Sequence, residues 1–128
     1  MSGTETDTAR RLTVLLVEDE ALLMMAAVDM VEDMGYRVLE APNAGKALSH
    51  LSDGQTIDIL LTDVNLPDLR GPELAARARE MHPGLPVVFA TGYPMSVPPE
   101  LADAPTAVVN KPYWEEDLRK ALETVSAR

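Results

Sequence analysis

Runs of apolar, β-branched-rich residues alternate along this chain with stretches whose apolar positions recur at helical spacing. Leu12 to Val17 is a continuous run of the kind carried by a strand buried on both faces. Glu20 to Met34 follows, with Leu23, Ala27, Val31 and Met34 on one helical stripe and Gly35 placed as a C-terminal stop. Tyr36 to Glu40 predicts a short strand, and Ala44 to Leu51 a short helix with Asn43 as its N-cap. Ile57 to Thr62 predicts another buried strand. Pro72 to Met81 predicts a helix whose first turn holds Pro72 and Glu73, residue types favoured there. Pro86 to Ala90 and Thr106 to Asn110 read as strands, and Trp114 to Ser126 as a closing helix.

Strands that alternate with helices or helix-length connections imply a parallel sheet with helices on both faces, because parallel neighbours need a crossover. The expected class is therefore α/β. Tyr93 to Pro105 breaks the pattern with Pro94, Pro98, Pro99 and Pro105. Proline removes a donor and disfavours helix at the residue before it, so the fourth helix is expected to be short or irregular, starting near Pro99. The polar residues 1–10 read as a flexible tail, leaving 11–128 as the domain.

Composition narrows the function classes. A length of 128 residues fits one domain, and 46% hydrophobic content is enough for a core. The absence of cysteine removes disulfides, thiolate metal sites and thiol nucleophiles. A formal charge of −10 repels phosphate backbones and argues against nucleic acid as a partner. The longest apolar run, Ala21 to Val28, falls far short of the roughly 20 residues of a membrane span. The acidic, hydroxyl-rich N-terminus is unlike a secretory signal, so a cytoplasmic protein is expected.

Open parallel sheets place their chemistry beyond the carboxyl ends of the strands. Just past the first strand stand Glu18 and Asp19, past the third Asp63, past the fourth Thr91 and past the fifth Lys111. The second strand supplies nothing comparable, which fits a position off to one side. With strands one and three as neighbours, about 4.8 Å apart, the three carboxylates converge and call for a cation. An all-oxygen donor set selects a hard ion, and a small, partly hydrated site suits Mg²⁺. Lys111 adds a point charge that can reach an anion on Asp63, and Thr91 adds a hydroxyl donor. Carboxylate, divalent ion, lysine and hydroxyl together meet the needs of phosphoryl transfer onto an aspartate. Taken singly, each has a plainer reading. Glu18–Asp19 also suit a helix N-terminus, and Thr91–Gly92 and Lys111–Pro112 also suit turns.

From Leu12 to about Ser126 these residues resemble the receiver domain of two-component response regulators (CheY-like). The resemblance rests on Glu18–Asp19, the segment Asp63-Val64-Asn65-Leu66-Pro67-Asp68-Leu69-Arg70-Gly71, Thr91, and Lys111–Pro112. It implies a flavodoxin-like, doubly wound five-stranded sheet in the order 2-1-3-4-5. It implies Asp63 as phosphoacceptor and Mg²⁺ on Asp19, Asp63 and the Asn65 backbone carbonyl, with Glu18 acting through water. Lys111 and Thr91 would bond the phosphoryl group, and Lys111–Pro112 would be a cis peptide. Asn65 and Tyr93 would flank the path of attacking water. Val108 stands where the family commonly has a switch aromatic. Phe89-Ala90-Thr91-Gly92-Tyr93-Pro94 is similar to the FATGUY subgroup of alphaproteobacterial receivers, which tends to lack that aromatic and is often paired with HWE-type or related histidine kinases.

The expected function is that of a stand-alone response regulator, not an enzyme. It would take its phosphoryl group from a histidine kinase or histidine phosphotransfer protein and signal to an unknown protein partner as a monomer or weak homodimer. Family partners usually meet the surface of the fourth helix, fifth strand and closing helix, with Tyr113 and Trp114 at its edge. Two alternatives stay open: a phosphate sink that competes for a kinase, and an interaction module independent of phosphorylation. A phosphohydrolase is disfavoured, since Asn65 occupies the place of its second catalytic Asp. Met24, Met25, Met30 and Met34 are read as buried, and His50 and His82 as ordinary surface residues remote from the acids. Glu115–Arg119 and Glu116–Lys120 are expected as exposed ion pairs.

Overall fold

The computed structural model of the protein describes residues 11–126; the predicted tail over 1–10 and the last two residues of the predicted domain lie outside them. Five strands, β1 (Thr13–Val17), β2 (Arg37–Ala41), β3 (Ile59–Asp63), β4 (Val87–Thr91) and β5 (Thr106–Asn110), form one sheet. Every pairing is parallel and the order is β2-β1-β3-β4-β5. The crossovers contain α1 (Ala21–Asp33), α2 (Ala44–Ser52) and α3 (Gly71–Met81), and α4 (Glu115–Ser126) closes the described chain. This is the flavodoxin-like, doubly wound arrangement.

Alternation along the strands explains their unbroken apolar runs. Leu15, Val17, Leu60 and Phe89 pack with Ala47 and Leu51 of α2 and Leu74 and Ala78 of α3. Val14, Leu16, Ile59 and Leu61 face the other way, onto Met24, Ala27 and Val31 of α1 and Leu118 and Leu122 of α4. The inner strands β1, β3 and β4 are covered on both faces, so a polar residue there is costly, whereas the edge strand β2 leaves Arg37 and Glu40 exposed.

Between β4 and β5 the proline-broken segment holds only a 3₁₀ turn, Pro99–Leu101, as the sequence predicts. Its Leu101 is buried against the α2–α3 side. Arg79 of α3 fixes the segment's far end. Its Nε donates to the Leu85 carbonyl (2.9 Å), Nη1 to the Leu101 carbonyl (2.6 Å), and Nη2 to the Pro105 carbonyl and Thr106 Oγ1 (2.9 Å each). One guanidinium thus serves backbone carbonyls that the prolines leave without helical partners.

Three expectations need correction. On α1 the buried stripe is Met24, Ala27 and Val31, whereas Leu23 lies on the rim. A helix apolar nearly all round leaves its phase open, and Leu22, Leu23 and Met25 stand exposed instead of buried. His50 and His82 are half-buried, not ordinary surface residues: their Nε2 atoms donate to the carbonyls of Glu40 (3.1 Å) and Leu51 (2.8 Å). Of the two expected ion pairs, Glu115–Arg119 forms at 2.9 Å, and Glu116–Lys120 is not among the pairs of the described residues. Asn43 caps α2 as predicted, accepting from Lys46 N at 2.8 Å.

Candidate functional site

Strand register assembles the site. Val17 pairs with Thr62, so Glu18 comes beside Asp63; Asp63 pairs with Ala90, one residue before Thr91; Thr91 pairs with Asn110, one residue before Lys111. The β2 end contributes only Ala41 and Pro42, as expected of an outer strand. Carboxylate oxygens of Glu18, Asp19 and Asp63 lie within 4.8 Å of one another. Their exposures differ. Glu18 is 5% exposed, Asp63 is half-buried and Asp19 is open to solvent.

Lys111 ties this cluster together, its Nζ 3.0 Å from Glu18 Oε1 and 3.0 Å from Asp63 Oδ2. Burial pulls the ammonium down, but hydrogen bonds and charge from Glu18 and Asp63 outweigh it and hold Lys111 above its ordinary value. The lysine therefore stays charged between the two carboxylates. Glu18 has a second, local task, since its Oε2 accepts from Glu20 N (3.1 Å) at the start of α1. That bond reaches the N-cap residue Glu20 itself, and the N-cap side chain makes no cap bond of its own.

Thr91 is buried, its hydroxyl donating to the Tyr93 carbonyl (3.1 Å) and accepting from Tyr93 N (3.2 Å). Asn65 is exposed, and its N–H is directed at Asp63 Oδ1 at 3.4 Å. Val108 is half-buried and packs on the α2–α3 side of the sheet. The Lys111–Pro112 peptide is cis. Beyond it Tyr113 is half-buried, its phenol pushed up by burial, while Trp114 is exposed.

The loop from Asp63 to α3 is held at both ends. At its neck Gly71 N donates to the Val64 carbonyl (2.8 Å), and Asn65 and Arg70 form an antiparallel bridge. At its tip Asp68 accepts from Ala44 N (3.0 Å) and Gly45 N (2.9 Å), capping α2 from outside. Those two bonds hold the Asp68 carboxyl below its usual range.

Sequence reasoning gave no role to Arg70 or Asp68, and it favoured burial over a partner surface for the apolar residues of α1. Arg70 Nη1 donates to Asn65 Oδ1 (3.2 Å) and Nη2 to the Tyr93 hydroxyl (3.3 Å). Leu23, Ala26, Met30, Pro112 and Tyr113 line an apolar cleft of about 310 Å³ that reaches Glu18 and Lys111. The only signal in the sequence was the excess of apolar residues on α1 beyond what one buried stripe needs.

Comparison with known proteins gives a consistent result. The profile of the response regulator receiver domain matches residues 14–123. The response regulator receiver protein CpdR of Brucella abortus is 34% identical over 112 residues, covering 86% of this chain and 92% of that protein. The sensor kinase CckA of the same species is 38% identical over 89 residues, covering 69% of this chain but only 9% of the kinase. Among solved structures, a response regulator receiver protein from Sinorhizobium medicae superposes with a TM-score of 0.79 at 27% identity, over 92% of this chain and 96% of that one.

Proposed function

This chain belongs to the response regulator receiver family, and from that premise we propose that it is a signalling module switched by phosphorylation of Asp63. The observation that carries the proposal is the Lys111 ammonium set 3.0 Å from both Asp63 and Glu18, with the Asp19 carboxylate in the same cluster. Asp63 is the fitting nucleophile of the three acids, because it combines access with a cation at its side. Its oxygen forms the bond to phosphorus while the phosphorus–nitrogen bond of a donor phosphohistidine breaks, its electron pair returning to the imidazole.

The donor set fits Mg²⁺: three carboxylates, with no nitrogen or sulfur ligand among them; the family resemblance adds the Asn65 backbone carbonyl. Asp19, Asp63 and that carbonyl would hold the ion, with Glu18 reaching it through water. A bound Mg²⁺ supplies positive charge that neutralises the phosphoryl oxygens. Lys111 supplies a fixed charge from the β5 side. Thr91 turns its hydroxyl from the Tyr93 carbonyl to a phosphoryl oxygen, which frees Tyr93 and the segment leading to the 3₁₀ turn. Val108 brings no ring to that movement, so output reaches a partner protein through the 92–105 segment.

A donor histidine must come within bonding distance of Asp63, so its protein necessarily covers the rim of the site. The exposed apolar side of α1, with Leu22 at 80% and Met25 at 64% exposure, begins just after Asp19 in the chain and fits a histidine kinase or histidine phosphotransfer protein. Replacing both by Asp (Leu22→Asp with Met25→Asp) is expected to slow transfer from a phosphohistidine protein about tenfold or more, the effect of losing one interface anchor. Labelling from acetyl phosphate, which has no such interface, stays near the wild-type rate. Equal slowing with both donors would show that α1 does not dock the donor.

A further inference from the structure

Arg70 links two side chains that follow the ends of the neighbouring strands β3 and β4. Asn65 follows Asp63 by two residues at the end of β3, and its N–H is directed at the Asp63 carboxylate. Tyr93 follows Thr91 by two residues at the end of β4, and its backbone is bonded to the Thr91 hydroxyl. The guanidinium joins them, Nη1 to Asn65 Oδ1 at 3.2 Å and Nη2 to the Tyr93 hydroxyl at 3.3 Å.

Arg70 is placed there by the backbone. It precedes α3 with extended φ and ψ (−73° and 149°), and its side chain makes no cap bond. The next residue, Gly71, packs directly on the carbonyl of Asp63, so close that an ideal Cβ would lie 2.6 Å from that oxygen. The arginine thus starts from a point fixed relative to Asp63, and its fork spans from the β3 end to the β4 end. Hydrogen bonds between exposed side chains add little to folding, so this bridge has its main consequence at the opening itself. A rigid planar fork suits such a bridge better than a single flexible ammonium.

We propose that Arg70 is a positioning residue that straps Asn65 and Tyr93 over the solvent side of Asp63 and so lengthens the life of its phosphoryl group. The inference rests on the reading of Asp63 as phosphoacceptor. In hydrolysis a water oxygen bonds to phosphorus, and the bond from phosphorus to the Asp63 oxygen breaks with its electron pair left on the carboxylate. Both water protons leave with dihydrogen phosphate. The attacking and leaving oxygens lie in line, so water must come from the side away from the carboxylate, which is the side the strap crosses.

The test is the decay of the phosphoryl adduct, followed by intact-protein mass after charging with acetyl phosphate and Mg²⁺ and removing the donor. Arg70→Ala is expected to shorten the half-life about fivefold, the rate equivalent of one net hydrogen bond. Tyr93→Phe, which keeps the ring and loses the acceptor, is expected to do the same. The double variant should decay no faster than either single one, because both remove one bridge. Arg70→Lys should not restore the wild-type half-life, while thermal midpoints stay together; a merely structural role would move the midpoints instead. Decay of Arg70→Ala at the wild-type rate, or effects that multiply in the double variant, would overturn the strap alone. A wild-type protein that takes no adduct from acetyl phosphate or a phosphohistidine donor would overturn the phosphoacceptor reading, and the strap with it.

Discussion

Gly71→Ala is expected to lower the stability of the domain by about 1–3 kcal/mol or more, a fall of order 5–15 °C in Tm. Its added methyl would sit 2.6 Å from the Asp63 carbonyl oxygen and 2.9 Å from Val64 Cα, and both neighbours are backbone. Space, not backbone conformation, is what this position demands of glycine, since its φ lies outside the left-handed region. Relief requires the end of β3 to shift, and with it the carboxylate that the site is built around. Charging by acetyl phosphate should therefore fall along with Tm. Gly92→Ala is the informative contrast: it too lies beside the site, but its methyl would meet nothing within 4 Å, so a change within about 0.5 kcal/mol is expected. Thermal melts of the two variants beside wild type check both statements. Equal, small effects would mean that the α3 start yields more easily than its packing implies.

Lys111→Ala is expected to have the largest functional effect short of replacing Asp63, the proposed phosphoacceptor. Loss of a fixed cation aimed at developing charge costs about 10²–10³-fold in rate, which should appear in labelling by acetyl phosphate. The same change leaves the Glu18 carboxylate, 5% exposed, without its partner. The metal-free domain should lose about 1–3 kcal/mol, less than for a fully buried pair because Lys111 is itself 21% exposed. Mg²⁺ should recover most of that loss and bind the variant more tightly than wild type, because no ammonium competes for the carboxylates. Urea unfolding with and without Mg²⁺ measures this. The sign of the pH dependence follows from Lys111 being held above its ordinary value of 10.5. In the wild type its contribution is complete below that value and is lost as pH rises through the raised one. The variant lacks that alkaline loss.

What the sequence made legible, and what it did not, divides along a physical line. Strands buried on both faces must be apolar throughout, so Leu12–Val17 and Pro86–Ala90 marked β1 and β4 to within one residue. β3 begins at Ile59, not Ile57, because Ile57 is buried just ahead of the paired residues and an apolar run cannot show where pairing starts. The proline spacing similarly reduced the fourth helix to one 3₁₀ turn. The gathering of Glu18, Asp19, Asp63, Thr91 and Lys111 was readable because parallel topology forces strand carboxyl ends to one edge. Contacts set by loops folding back were not readable. Arg70 meets Tyr93 across 23 positions, and Asp68 caps α2 from 24 positions away. Neither has a local periodicity to announce it. The phase of α1 failed for a different reason: Leu23 and Met24 are both apolar, and only the neighbouring β1 and β2 decide which turns inward.

The most direct test of Asp63 as phosphoacceptor is intact-protein mass after incubation with acetyl phosphate, with and without Mg²⁺, for wild type beside Asp63→Asn. Wild type should gain one phosphoryl adduct only when Mg²⁺ is present, and Asp63→Asn should gain none. An adduct that survives in Asp63→Asn, or a wild-type chain that takes none from acetyl phosphate or a phosphohistidine donor, would contradict that role.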